Sequence, residues 1–406
     1  TETGYYNSSG DFGVFLGYQA GYKNTSGHYN VFLGYQAGCN NTDKSNSVLI
    51  GYKAGFNATT AADNVTIGNN AALNSTSGSN NVIAGTQAAE NIEVGERNVY
   101  LGHQVARGTA TASRIKTGVE PMNILAQGGN DNVCIGYQSA SNSTANRLVA
   151  IGNSTGLNST GDDNVFLGTD AGCNNTSGSN NVCLGNRSGR DAQQGKFNVF
   201  LGYETGLSTG GCNNVFLGTQ SGAGQVSSVE NTVLLGFKTG FLNTGNTSVI
   251  LGNEAGYNNS GNNAVILGYQ AGYSSSGNNT TIIGHTANAQ GSNAVSIGKS
   301  SVANGLNSVV VGTDLETTGS NTVIVGYGIT ANKDNSVYIG TMVQGSFSTI
   351  TGNNSIGIGH SINTLDSAVG IGVSALAAEN CVSIGKSATS LYNSAIAIGS
   401  NANASG

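Results

Sequence analysis

The side chains that could do chemistry in this sequence are few and far apart. Four histidines, His28, His103, His285 and His360, are its groups that titrate near neutral pH. A general base needs a nucleophile or a second acid within reach, and no Ser, Cys or carboxylate recurs at a spacing that would supply one. His103 and His285 stand where Tyr stands in related segments, so packing accounts for them. The cysteines (Cys39, Cys134, Cys173, Cys183, Cys212, Cys381) show no metal-ligand spacing. Cys134 and Cys183 replace the Phe found at Phe166 and Phe200, which favours small apolar side chains over a disulfide or metal role. Asp162-Asp163 lies in a turn; without a Gly-Gly-x-Gly-x-Asp calcium repeat, a solvated turn is the better reading than a cation site. The expectation is therefore no enzyme: no catalytic residue, no cofactor and no metal.

The elements that carry these residues follow from composition and period. The 406 residues include 63 Gly, one Pro and no Trp; 9% are charged and 37% hydrophobic. Disordered chains lack β-branched and aromatic residues, but here Val, Ile, Leu, Phe and Tyr recur at fixed places. The net charge of -6, with no Lys/Arg cluster, argues against a nucleic-acid partner. No apolar run approaches the roughly 18 residues of a membrane helix, so no membrane insertion is expected in this segment. The opening residues carry no signal-peptide pattern. The chain starts and stops inside its repeat, as a mature chain or an excised piece of a longer one would.

The repeat is aligned by a glycine that closes an apolar tripeptide. Val14-Phe15-Leu16-Gly17 returns as Val31-Phe32-Leu33-Gly34, Val48-Leu49-Ile50-Gly51, and onward at steps of about 17 residues to Gly102. The step is about 16–18 residues from Gly136 to Gly284, and about 13–14 for most of the chain thereafter. Four regions are expected: a β-solenoid over 1–102, an irregular coil or inserted loop over 103–131, a second solenoid over 132–284, and shorter coils over 285–406. High Gly and Asn content excludes helix, while Asn-Asn-Thr-Ser-Gly turns suit tight corners. The fold class is all-β, a parallel β-solenoid of roughly two dozen coils. At about 4.8 Å per coil it would be a rod on the order of 115 Å long. A second strand is expected after each glycine, as in Tyr35-Gln36-Ala37-Gly38.

Strand alternation, applied with Val31 and Leu33 facing inward, sends Phe32 outward. That places Phe15, Phe32, Leu49, Tyr100, Phe166, Phe200, Phe216, Leu234, Ile250, Ile266 and Ile282 on an exposed line. Such a line is too large for a soluble monomer. A parallel homotrimer buried along this line is expected, with cover by another segment of the same chain as the alternative. Asn30, Asn64, Asn81, Asn98 and Asn164, just before the tripeptide, are expected to bond up and down the stack. Tyr18, Tyr35 and Tyr52 are expected to stack, with sugar binding as the alternative.

Asn293-Ala294-Val295-Ser296-Ile297-Gly298, Asn335-Ser336-Val337-Tyr338-Ile339-Gly340 and Asn393-Ser394-Ala395-Ile396-Ala397-Ile398-Gly399 resemble the head repeat of trimeric autotransporter adhesins. The resemblance is good over 285–406 and holds in form before that; similar arrays occur in phage and viral fibre proteins. It implies a left-handed parallel β-roll, a homotrimer, and a place at the outer end of an extracellular cell-surface or virion fibre. No coiled-coil stalk or membrane-anchor strand is recognisable. The function expected is non-enzymatic attachment to a host-cell, matrix or glycan receptor. A self-assembling extracellular filament is the alternative, and an ice- or surface-binding solenoid a third reading. Where one tripeptide is missing between Gly102 and Gly136, Arg107, Arg114, Lys116 and Glu120 mark either a binding loop or a degenerate coil; Thr341 to Asn354 holds a smaller break. Asn-x-Ser/Thr sequons at Asn7, Asn24, Asn40, Asn57, Asn74, Asn142, Asn158, Asn174, Asn246 and Asn258 fall mostly in turns that could carry glycans.

Overall fold

The fold is that of a computed structural model, which describes all residues except 1, 60, 92–95, 97, 106–113, 118–130, 225–228, 342–351 and 406. Among the described residues there is no helix. The chain winds into a parallel β-solenoid of about 22 coils. It forms two compact units, Thr1–Asn213 and Asn214–Gly406.

In the first unit each tripeptide is a strand that pairs in register with the next. Val14, Phe15 and Leu16 lie beside Val31, Phe32 and Leu33, which lie beside Val48, Leu49 and Ile50. The ladder continues past the strand, with Gly34 N–H donating to Leu16 O and Gln36 N–H to Tyr18 O, both at 2.8 Å. Glycine is required where the coils meet. Gly34 has φ +134°, and a Cβ there would collide with the carbonyl of Gly51. The post-glycine segment is a turn in these coils. Gln36 (φ 53°) and Gly38 (φ 59°) take the left-handed conformation, so Tyr35-Gln36-Ala37-Gly38 does not form the expected second strand.

The faces of the tripeptide are the reverse of the sequence expectation. Phe32, Phe166 and Phe216 are fully buried within their own chain, and so are Leu234, Ile250, Ile266 and Ile282. Leu49, Tyr100 and Phe200 are also buried, and Phe15 packs half-buried against Phe32. The flanking Val31 and Leu33 point outward. None of the eleven middle residues is therefore the exposed line. The reason lies one residue upstream. Asn30 shares the parity of Phe32 and is also fully buried. The two inward positions are thus one amide and one large apolar group, and the amide's polarity disguised the core face.

The amide is satisfied inside the coil. Asn64 donates Nδ2–H to Gly78 O at 2.7 Å, and its Oδ1 accepts the Asn81 N–H at 2.8 Å. Buried polar groups with partners on adjacent coils cost little and fix register. In the second unit Thr232, Ser248, Ser308, Thr322, Ser336 and Ser355 take this place, all essentially buried. From Gly284 onward the coils are shorter, at 13–14 residues for most steps. There the post-glycine segment extends: Asn288–Ala289, Val302–Ala303, Glu316–Thr317 and Thr330–Ala331 form a parallel four-stranded sheet, and Asn363–Thr364, Leu376–Ala377, Thr389–Ser390 and Asn403–Ala404 form another.

Candidate functional site

One surface that could meet a partner is the outer face of the tripeptide strands. Most of these strands set a Val and a Leu or Ile outward, because the two flank a single inward residue. In the second unit Val233 (38% exposed), Leu235 (44%), Val249 (41%) and Val265 (39%) line this face. Pairing fixes them in straight columns: Val233, Val249 and Val265 are register partners, as are Leu235, Leu251 and Leu267. The first unit repeats the pattern with Val65, Ile67, Val82 and Leu101 exposed. The line expected at the middle residues is thus not exposed, and the outward apolar residues are instead the two that flank each of them.

A third outward column follows the glycine. Tyr18, Tyr35 and Tyr52 stack with ring centres 5.3 and 5.2 Å apart. Tyr269 stacks on His285 at 5.0 Å, where the histidine takes the tyrosine's place. Beside this column runs a polar one, in which Gln36 Nε2–H donates to Gln19 Oε1 at 2.8 Å and Arg187 Nη1–H to Glu204 Oε1 at 2.6 Å.

The titratable groups are spread over separate coils. His28 Nδ1 accepts the Asp11 N–H at 3.0 Å, and His360 Nδ1 lies 2.9 Å from Thr341 Oγ1. Asp162 and Asp163 are engaged with the preceding coil. Asp162 Oδ1 accepts the Asn146 N–H at 2.8 Å, and Asp163 Oδ2 accepts from Arg147 Nη2 at 2.7 Å. The Arg147 hydrogen bond holds the Asp163 carboxyl below its usual range. Among the described residues, no three His, Cys, Asp or Glu side chains form a metal-binding group. Burial pushes the Cys39, Cys173 and Cys183 thiols up.

The remaining expected sites separate by position. Arg107 and Glu120 lie outside the described residues. Arg114 and Lys116 belong to the strand Arg114–Thr117, whose backbone pairs with Val99–Leu101 on one side and Asn132–Ile135 on the other. The break between Gly102 and Gly136 thus contains a coil strand where a protruding loop was one reading.

Of the sequons, Asn24 is fully buried and donates Nδ2–H to Gly27 O at 3.1 Å, so the folded coil does not present it. Asn40, Asn57 and Asn74 form an amide ladder with steps of 2.8 and 2.9 Å, and Asn142, Asn158 and Asn174 form another. Asn7 and Asn258 are exposed, and Asn246 is half-exposed.

The chain matches no protein-family profile and no curated protein.

Proposed function

We propose that this chain is the repeating body of an extracellular, non-enzymatic attachment fibre. Three parallel copies would be held together by their outer Val-x-Leu columns. The observation that carries this reading is the exposed apolar strip running coil after coil on one face. Soluble monomers seldom leave a contiguous apolar strip uncovered, and one repeated over successive coils is the kind of surface that an interface covers. A copy placed side by side in the same direction would meet each Val and Leu with an equivalent residue, and three copies close around an axis. The adhesin-head motifs between Asn293 and Gly399 support the trimer, a left-handed coil and the surface role. The repeated outward side chains would present the same chemistry many times to a glycan or protein receptor, where weak contacts add through multivalency.

Electron microscopy of the purified full chain tests the reading. Discrete slender particles of uniform length, each several chains thick, are expected. Filaments of indefinite length would favour the self-assembling alternative, and isolated single chains would contradict both.

A further inference from the structure

The geometry points to the Tyr18, Tyr35 and Tyr52 column as an oxidative cross-linking site, at which a one-electron oxidant joins neighbouring phenols into dityrosine and staples successive coils covalently. The three rings are 41%, 42% and 45% exposed, so an oxidant reaches each of them. Their planes lie 19° and 9° from parallel at centre separations of 5.3 and 5.2 Å. The backbone beneath is clamped, with Lys53 N–H donating to Tyr35 O at 2.8 Å as Gln36 N–H does to Tyr18 O. A phenoxyl radical formed on one ring therefore has the next phenol held 5.2–5.3 Å away, centre to centre, and once that ring is oxidised too such fixed neighbours outcompete partners arriving by diffusion. The buried Cys39 thiol is not a ready competitor.

The oxidant class is a haem peroxidase with hydrogen peroxide. Each of two phenols loses one electron and one proton, and the peroxide is reduced to two waters. The radicals couple through their ortho carbons, forming one carbon–carbon bond, and rearomatise by shifting each ortho hydrogen to oxygen. Tyr257 and Tyr273 offer a second pair, 4.9 Å apart and 2° from parallel. The molecule also carries its own control, since the register neighbours of Tyr327 on either side are Thr313 and Thr341 rather than tyrosines.

The proposal rests on contacts within one chain and is independent of the fibre reading. The test treats the full chain with a haem peroxidase and limiting peroxide, isolates the single-chain band on a denaturing gel, and digests it with trypsin. Cleavage after Lys23, Lys44 and Lys53 places the three tyrosines in three peptides. The expected products are Tyr18–Tyr35 and Tyr35–Tyr52 linked peptides, each lighter than the sum of its parts by two hydrogen atoms. Tyr35→Phe, which keeps the ring, should abolish both, whereas Tyr327→Phe should leave their yield unchanged. Absence of these peptides from the single-chain band, or their persistence in Tyr35→Phe, would overturn the assignment.

Discussion

Asn164 Oδ1 accepts the backbone N–H of Asn181, one coil further on, at 2.8 Å. The same side chain donates to Gly161 O in its own coil and to Gly178 O in the next, at 2.7 and 2.8 Å. One buried amide thus ties two coils together through three backbone groups. Asn164→Ala should destabilise the fold by about 1–3 kcal/mol for each backbone group left unpaired. Thermal unfolding of the variant, with hydrogen exchange at Asn181, checks this; an unchanged melt and unchanged protection at Asn181 would show that the ladder is incidental.

Phe166→Ala and Leu167→Asp should separate the two faces of one strand. Phe166 is fully buried, so its truncation should cost about 3–5 kcal/mol while leaving the number of associated chains unchanged in whatever remains folded. Leu167 points outward, and a carboxylate there should weaken association with little loss of secondary structure. Circular dichroism and sedimentation on the two variants give the comparison. The reverse pattern would restore the face assignment first drawn from the sequence.

That assignment shows where sequence reasoning holds and where it stops. The glycine spacing makes the coil, its register and its parallel pairing legible, because each Gly must sit against the next coil's backbone. Alternation then leaves two choices of inward face, and only the buried state of Asn30 decides between them. The parity of Asn30 with Phe32 carried the signal, but an amide is not expected in a core until its partners are seen. The post-glycine turn was missed for a related reason. Gln36 holds a positive φ that its residue type does not advertise.

Gly34→Ala should be far more damaging than its size suggests. The substitution combines a left-sided φ with collision against the Gly51 carbonyl. Backbone strain alone is worth on the order of 1–3 kcal/mol, and the collision adds to it. A drop in melting temperature larger than that of Ala37→Gly is expected; a smaller drop would mean the coils can separate locally at low cost.

Cys183 should make the fold sensitive to alkali. Burial raises its thiol pKa in the folded chain, whereas the unfolded thiol ionises near pH 8.5. Its contribution is therefore complete below about pH 8.5 and is lost as pH rises from there toward the folded value. Cys183→Ala should flatten the fall in stability between pH 8 and 10, after allowance for the cavity it leaves. Under native conditions a thiol reagent should label the partly exposed Cys212 well before Cys183. Equal labelling rates, or an unaltered pH slope, would argue against a closed interior at this coil.

Sedimentation equilibrium of the full chain at micromolar concentration tests the account most directly. A single species of three chains, shifting toward one chain when Leu235 and Leu251 are both replaced by Asp, is the result predicted. A wild-type chain that sediments as one copy throughout would leave the Val and Leu columns bare in water and contradict the fibre assembly.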